Sequence, residues 1–214
     1  MLKIVIGNKK YSSWSMRPWL ALQETGAPYE EILVGLDLPD TAQQIRKYSP
    51  SGRVAALIDG ETTVWDSIAI CEYLNEKFPQ AQLWPADPRH RALARSVSAE
   101  MHSGFSNLRT DCSMKILKTF PVKPLRAETR AEVDRIVEIW ADCLQKSGGP
   151  FLFGKRPGIA DAMYAPVVSR FRSYSIPLSG EAKAYCETSW AWPAVQKWVE
   201  GARTEALTAK RYED

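Results

Sequence analysis

Groups that bind metals or form cross-links are scarce in this chain of 214 residues, which has four cysteines and two histidines. Cys71, Cys112, Cys143 and Cys186 lie far apart and never approach a CxxC spacing, which excludes a zinc knuckle and a dithiol redox motif. They read as isolated core or surface thiols. His90 and His102 are too few for a histidine metal cluster, so no metal is expected. A dominant charge is also missing: 28 basic against 25 acidic residues leave +3, too balanced for a nucleic-acid surface or an anionic membrane as partner. No stretch approaches the roughly 18 apolar residues of a membrane helix. The opening apolar run, Leu2 to Ile6, is too short for a signal peptide, so a cytoplasmic location is expected. A small-molecule ligand is the class of partner that remains.

What is present reads as two domains. Leu2 to Ile6 is a short apolar run rich in β-branched residues, which reads as a buried first strand ending at Gly7-Asn8. A helix is expected from about Ser15, as its N-cap, to Glu24, stopped by Thr25-Gly26-Ala27-Pro28. Tyr29 to Val34 reads as a second strand, completing a βαβ unit. A weak helical stretch from Thr41 to Tyr48 ends at Ser49-Pro50-Ser51-Gly52. Ala55 to Ile58 and Thr62 to Trp65 flank Asp59-Gly60, a hairpin signature, and a helix follows from Ser67 to Phe78. Residues 1–80 therefore read as βαβαββα, residues 81–87 as a linker and residues 88–214 as all-helical. Within that second part the pattern predicts a long helix over 88–118 and a second over 126–146. Further helices are expected near 159–172, 180–188 and 193–200, the last with Pro193 in its first turn.

Four short motifs carry a resemblance: Tyr11-Ser12-Ser13-Trp14-Ser15-Met16-Arg17, Ser51-Gly52-Arg53-Val54, Trp65-Asp66-Ser67 and Gly158-Ile159-Ala160-Asp161. In this order and spacing the chain resembles the cytosolic glutathione transferases, and among them bacterial serine-type members related to the zeta class, which includes maleylacetoacetate isomerases. The resemblance implies a thioredoxin-like glutathione-binding domain followed by a helical-bundle domain. It also implies glutathione as co-substrate, a small hydrophobic electrophile, a detoxification role and a homodimer.

The residues that would do this work follow from the same resemblance. A free thiol has a pKa of about 8.5, so a reactive thiolate at neutral pH needs stabilisation. A hydroxyl donating to sulfur beside a helix N-terminus supplies it, and the resemblance assigns that role to Ser12, with Ser13 and then Tyr11 as competitors. Read alone, these serines are helix caps. Asp66 is expected to meet the ammonium and Ser67 the carboxylate of the γ-glutamyl end, although Asp-Ser before an apolar helix is by itself an ordinary cap. Trp14, Arg53 and Val54 complete the expected glutathione contacts, Val54 through its backbone. The family follows that valine with a cis-proline. Ala55 stands there instead, which leaves open a trans bond with a shifted edge or a cis non-proline bond. Gly158 replaces the usual Ser or Thr of a capping box, leaving Asp161 to reach back to the Gly158 amide alone. His102, Ser103 and Phe105 face either the cleft or the core.

Two rival functions remain at this stage. One is a glutathione-fold binding or scavenging protein without catalysis. The other is a serine hydrolase, which the absence of a G-x-S-x-G elbow disfavours.

Overall fold

The structure is a computed structural model and describes residues 1–209, so 210–214 of the expected helical domain lie outside the described residues. The first part contains β1 (Leu2–Ile6), α1 (Ser13–Thr25), β2 (Tyr29–Leu33), α2 (Thr41–Arg46), β3 (Ala56–Asp59), β4 (Thr62–Trp65) and α3 (Ser67–Lys77). Its sheet runs in the order β2-β1-β3-β4, with β1 parallel to β2 and antiparallel to β3, and β3 antiparallel to β4. β1 is apolar except at Lys3, which pairs with Glu30 at the surface, because both its faces are otherwise covered. Ile4 and Ile6 enter the main core with α1 and α3, while Val5 joins Val34, Ile45 and Ala56 on the opposite face. This is the expected α/β arrangement, and the Val54–Ala55 peptide bond is cis.

The second part is helical: α4 (Pro88–Ser103), α5 (Ser106–Asp111), α6 (Ala127–Ser147), α7 (Ile159–Ser173), α8 (Gly180–Ala191) and α9 (Pro193–Thr204). α7 is its axis. Every α7 residue except Arg172 is buried, and α7 packs against α1, α4 and α8. Trp140 of α6 fills the adjoining core against Tyr164, Phe171 and Tyr185. No described helix is long and apolar enough to cross a membrane.

Two sequence expectations are corrected. α1 begins at Ser13, and its cap is Ser12, whose side chain accepts from the Ser15 amide; Ser15 is a fully buried residue inside the first turn. A serine three residues earlier captures the exposed amide first, so Ser15 is not the cap. The long helix expected over 88–118 is broken after Ser103. Gly104 turns extended, with the Glu100 carbonyl oxygen 2.8 Å from where a Cβ would sit, and Phe105 is left-handed at φ 58°. The chain then restarts as α5, and residues beyond Asp111 run without regular structure toward α6.

Candidate active site at the start of the first helix

The loop from β1 to α1 is shaped by Asn8, which is fully buried. Its carbonyl accepts from the Tyr11 and Ser12 amides at 3.1 and 2.8 Å, its Oδ1 accepts from the Leu36 amide at 2.7 Å, and its Nδ2 donates to Glu205 at 2.8 Å. Glu205, beyond α9, also accepts from the Lys9 amide at 2.7 Å. The segment after α9 thus holds the loop that delivers both serines.

Ser12 and Ser13 are each 6% exposed but differ in bonding. Ser12 Oγ donates to Ser15 Oγ at 2.7 Å and accepts from the Ser15 amide at 3.3 Å. Ser15 Oγ in turn accepts from the Gly7 amide at 2.9 Å. Ser13 Oγ instead accepts from Nη2 of Arg170, a buried α7 residue, at 3.3 Å. Both serines line a cavity of about 250 Å³ with Tyr11, Trp14, Val54, Met114, Arg109 and Arg170 among its walls.

A second cavity of about 490 Å³ adjoins it, sharing Trp14 and Val54. Its walls bring together the motif residues Arg53, Val54, Asp66 and Ser67, with Trp65 and His102. Asp66 sits at φ 76°, a conformation L residues rarely adopt, and its Oδ1 caps α3 by accepting from the Ile68 amide at 2.9 Å. Its Oδ2 meets His102 Nε2 at 3.2 Å, and the other ring nitrogen of His102 lies 3.5 Å from Ser67 Oγ. His102 belongs to α4, so this contact ties the helical part to the start of α3. Burial lowers the pKa of His102; the Asp66 carboxylate opposes that shift, and Arg17 and Arg109 reinforce it.

Trp14, 38% exposed, is the floor shared by the two cavities. The Arg17 guanidinium lies 4.5 Å and that of Arg109 4.8 Å from the centre of its ring system, and His102 meets it edge-on at 5.2 Å. Among the described residues, Arg17 Nε and Nη1 and Arg109 Nε are buried without a hydrogen-bond partner. Arg109 donates to the Met101 and His102 carbonyls, and Arg170 to the Cys112 carbonyl. Burial, with Arg109 and then Arg170 as like charges, lowers Arg17 to about 9. Burial and Arg109 lower Arg170 to about 10. Burial also lowers Arg109, which Glu132 opposes. Arg109 and Arg170 stand in the wall of the smaller cavity and Arg17 lies against Trp14, so guanidinium groups are concentrated beside the site.

Every site residue named from the sequence therefore lines one of two joined cavities. Sequence reasoning missed Arg17, Arg109 and Arg170 and left His102 undecided. Arg17 stood within a quoted motif without a role. Arg109 and Arg170 sit on helices where a lone arginine reads as a surface charge, and no local signal distinguishes them.

Comparison with known proteins agrees with this architecture. The family model described as Glutathione S-transferase, N-terminal domain, matches residues 11–77, and that of the Glutathione S-transferase, C-terminal domain, matches residues 123–201. Maleylacetoacetate isomerase of Rattus norvegicus is 31% identical over 172 residues, covering 78% of this chain and 76% of the relative. Glutathione S-transferase Z1 of Arabidopsis thaliana is 30% identical over 211 residues, 92% of this chain and 94% of the relative. The crystal structure of a glutathione transferase homolog from Burkholderia, with bound glutathione, superposes with a TM-score of 0.74 at 27% identity, over 95% of this chain and 99% of that one. On its two matched domains and on these relatives, the chain belongs to the glutathione S-transferase family.

Proposed function

We propose that this protein is a cytoplasmic, dimeric glutathione transferase. It binds glutathione in the larger cavity and presents the thiolate to a small electrophile in the smaller one. The single observation that carries this reading is the junction of the cavities at Trp14 and Val54, which sets the expected glutathione contacts against the two serines. The γ-glutamyl end would lie at Asp66 and Ser67, at the start of α3, where amide donors favour a carboxylate. The cysteinyl backbone would pair with Val54, bringing the sulfur toward the Ser12–Ser13 pair.

The electrophile, expected from the resemblance to be hydrophobic, carries an acidic group in this reading. Arg109 and Arg170 supply guanidinium donors in the same cavity as apolar Met114 and Leu36. The rat relative, a maleylacetoacetate isomerase, fits such a substrate. In an isomerisation the thiolate adds to one carbon of a cis double bond, the resulting single bond rotates, and expulsion of the thiolate restores the double bond as trans. Glutathione is regenerated.

The test is titration calorimetry with glutathione, followed by parallel assays of a generic aromatic halide and of an acidic cis-enone such as maleylacetoacetate. Binding with isomerisation of the acidic substrate is the expected result. Binding without turnover of either substrate would favour the scavenging alternative. Absence of binding would remove the proposal. Sedimentation showing only a 24.1 kDa species would remove the dimer.

A further inference from the structure

From Ser13 to Leu22 every residue of α1 is buried except Trp14. At 38% exposure this large side chain has little core to fill, so packing does not account for a tryptophan there. Its ring faces cavity instead. With Val54 it is common to the walls of the 250 Å³ and the 490 Å³ spaces. The ring is also braced by side chains from three helices, with Arg17 of α1 at 4.5 Å, Arg109 of α5 at 4.8 Å and His102 of α4 at 5.2 Å from its centre. Held in this way at the junction of two cavities, it is a fixed wall between them.

Resting on the proposed glutathione reading, we infer that Trp14 is a specificity-determining residue: its ring is the partition that limits how large a group the glutathione sulfur can carry, so that compact electrophiles are accepted and bulky aromatic ones are excluded. The smaller cavity is bounded by this ring, and a braced indole does not yield to an oversized substituent. Room for a single methylene changes discrimination in a pocket by about tenfold to two-hundredfold, and cutting an indole back to a methyl frees far more than that. The selection then comes from the first helix as well as from the helical part of the chain. This role differs from the glutathione contact expected of Trp14 from the sequence. A glutathione contact acts equally on every S-substituted glutathione, whereas a partition acts according to the size of the substituent. A stacking platform for aromatic groups would act with the opposite sign, since its removal would weaken the bulky conjugate selectively.

The experiment is titration calorimetry of the full-length protein with S-methylglutathione and S-naphthylmethylglutathione, whose glutathione parts are identical. The ratio of their dissociation constants divides out every contact made to glutathione itself. The wild type is expected to prefer the methyl conjugate. Trp14→Ala should shift the ratio toward the naphthylmethyl conjugate by about tenfold to a hundredfold. Trp14→Phe keeps a smaller ring and should shift it in the same direction by less, which holds the test open if Trp14→Ala does not fold. Arg17 braces the ring without being among the residues that line either cavity, so Arg17→Met should shift the ratio by about twofold to fivefold. Weaker binding of both conjugates at an unchanged ratio would return Trp14 to the glutathione contacts and overturn the partition. A loss confined to the naphthylmethyl conjugate would make the ring a stacking platform and overturn it as well. A shift in Trp14→Ala with none in Arg17→Met would overturn the role of Arg17 as a brace. Failure of the wild-type protein to bind glutathione or either conjugate would instead count against the proposed function, so the two failures are distinct.

Discussion

Two helix starts in this molecule bury charge in opposite ways. At the start of α7, Asp161 is fully buried, and its carboxylate accepts from the Leu152 amide at 3.0 Å, the Gly158 amide at 2.9 Å and the Tyr185 hydroxyl at 3.1 Å. At the start of α1, Arg17 is as deeply buried, with two of its nitrogens unpaired and with Arg109 and Arg170 as like-charged neighbours. A buried charge whose bonds are complete holds a fold together, whereas one left incomplete costs stability and is retained for what it does to a ligand. The contrast fits a structural role for the start of α7 and supports the chemical role proposed for the start of α1.

The largest effect is expected at Asp161. Asp161→Ala would strand two amides and a buried phenol, and should cost about 3 to 5 kcal/mol in urea unfolding or prevent folding altogether. Its pH signature is also defined. Burial raises the carboxyl to about 6, opposed by its hydrogen bonds, against 3.8 for a free group. Between those values the folded state holds the proton more tightly than the unfolded one. The resulting stability is present below about pH 4 and lost as pH rises through 6. Asp59 and Asp111 have lowered values and act with the opposite sign, so the measurement is the difference between wild type and Asp161→Asn across pH 4 to 7. A flat difference would mean that Asp161 is ionised throughout and no more costly than a surface carboxylate.

Gly158→Ser comes next and tests whether the missing half of the capping box is a defect. A side chain there would restore the family pattern, yet the Leu83 carbonyl oxygen lies 2.7 Å from the position of a Cβ, and that carbonyl accepts from the Ile159 amide at 2.9 Å. The linker therefore approaches α7 too closely for any side chain. The substitution should destabilise by about 1 to 3 kcal/mol in place of gaining a cap. A rise in melting temperature would show that the linker yields. Arg17→Met probes the other helix start and should move stability in the opposite direction, by roughly 1 to 2 kcal/mol toward greater stability, because unsatisfied buried donors leave with the guanidinium. Turnover should fall at the same time, since Trp14 loses a cation from its face. Loss of stability in Arg17→Met would end the comparison, because it would make Arg17 a structural charge like Asp161.

The same contrast explains what could be read without coordinates. β1, the hairpin, α3 and α6 were legible because their signals are local: a β-branched run, Asp59-Gly60, an apolar stripe and a glycine stop. The break at Gly104 was not, because Ser103-Gly104 lies within a stretch whose composition otherwise continues as helix, and the restart depends on tertiary packing. The motif residues Ser12, Ser13, Val54, Asp66 and Ser67 were nameable only through the resemblance that their motifs carry, since the local signals around the serines and Asp66 read by themselves as helix caps. The arginines were not. They come from α1, α5 and α7, three helices that meet only in the folded chain, and nothing in the sequence around Arg109 or Arg170 separates an inward guanidinium from a solvated one.

The smallest expected effect sharpens the comparison by reproducing the Asp161 arrangement at the surface. Glu205 does for the loop before α1 what Asp161 does for the loop before α7, since its two oxygens accept from the Lys9 amide and the Asn8 side-chain amide. The difference is burial, because Glu205 is partly exposed and water can replace a lost partner. Glu205→Gln keeps one acceptor and turns an amide toward a donor, so it should cost about 1 kcal/mol, well below the loss at Asp161. The loss should be local, read as faster amide hydrogen exchange over residues 8 to 12 with the α7 amides unchanged. Slower turnover at an unchanged bound-thiol pKa would mean that the tail controls where the serines stand and not how strongly they donate. Equal acceleration of exchange in α7 would show that the two helix starts are one cooperative unit, and the division between structural and chemical charge would then fail at its smallest term.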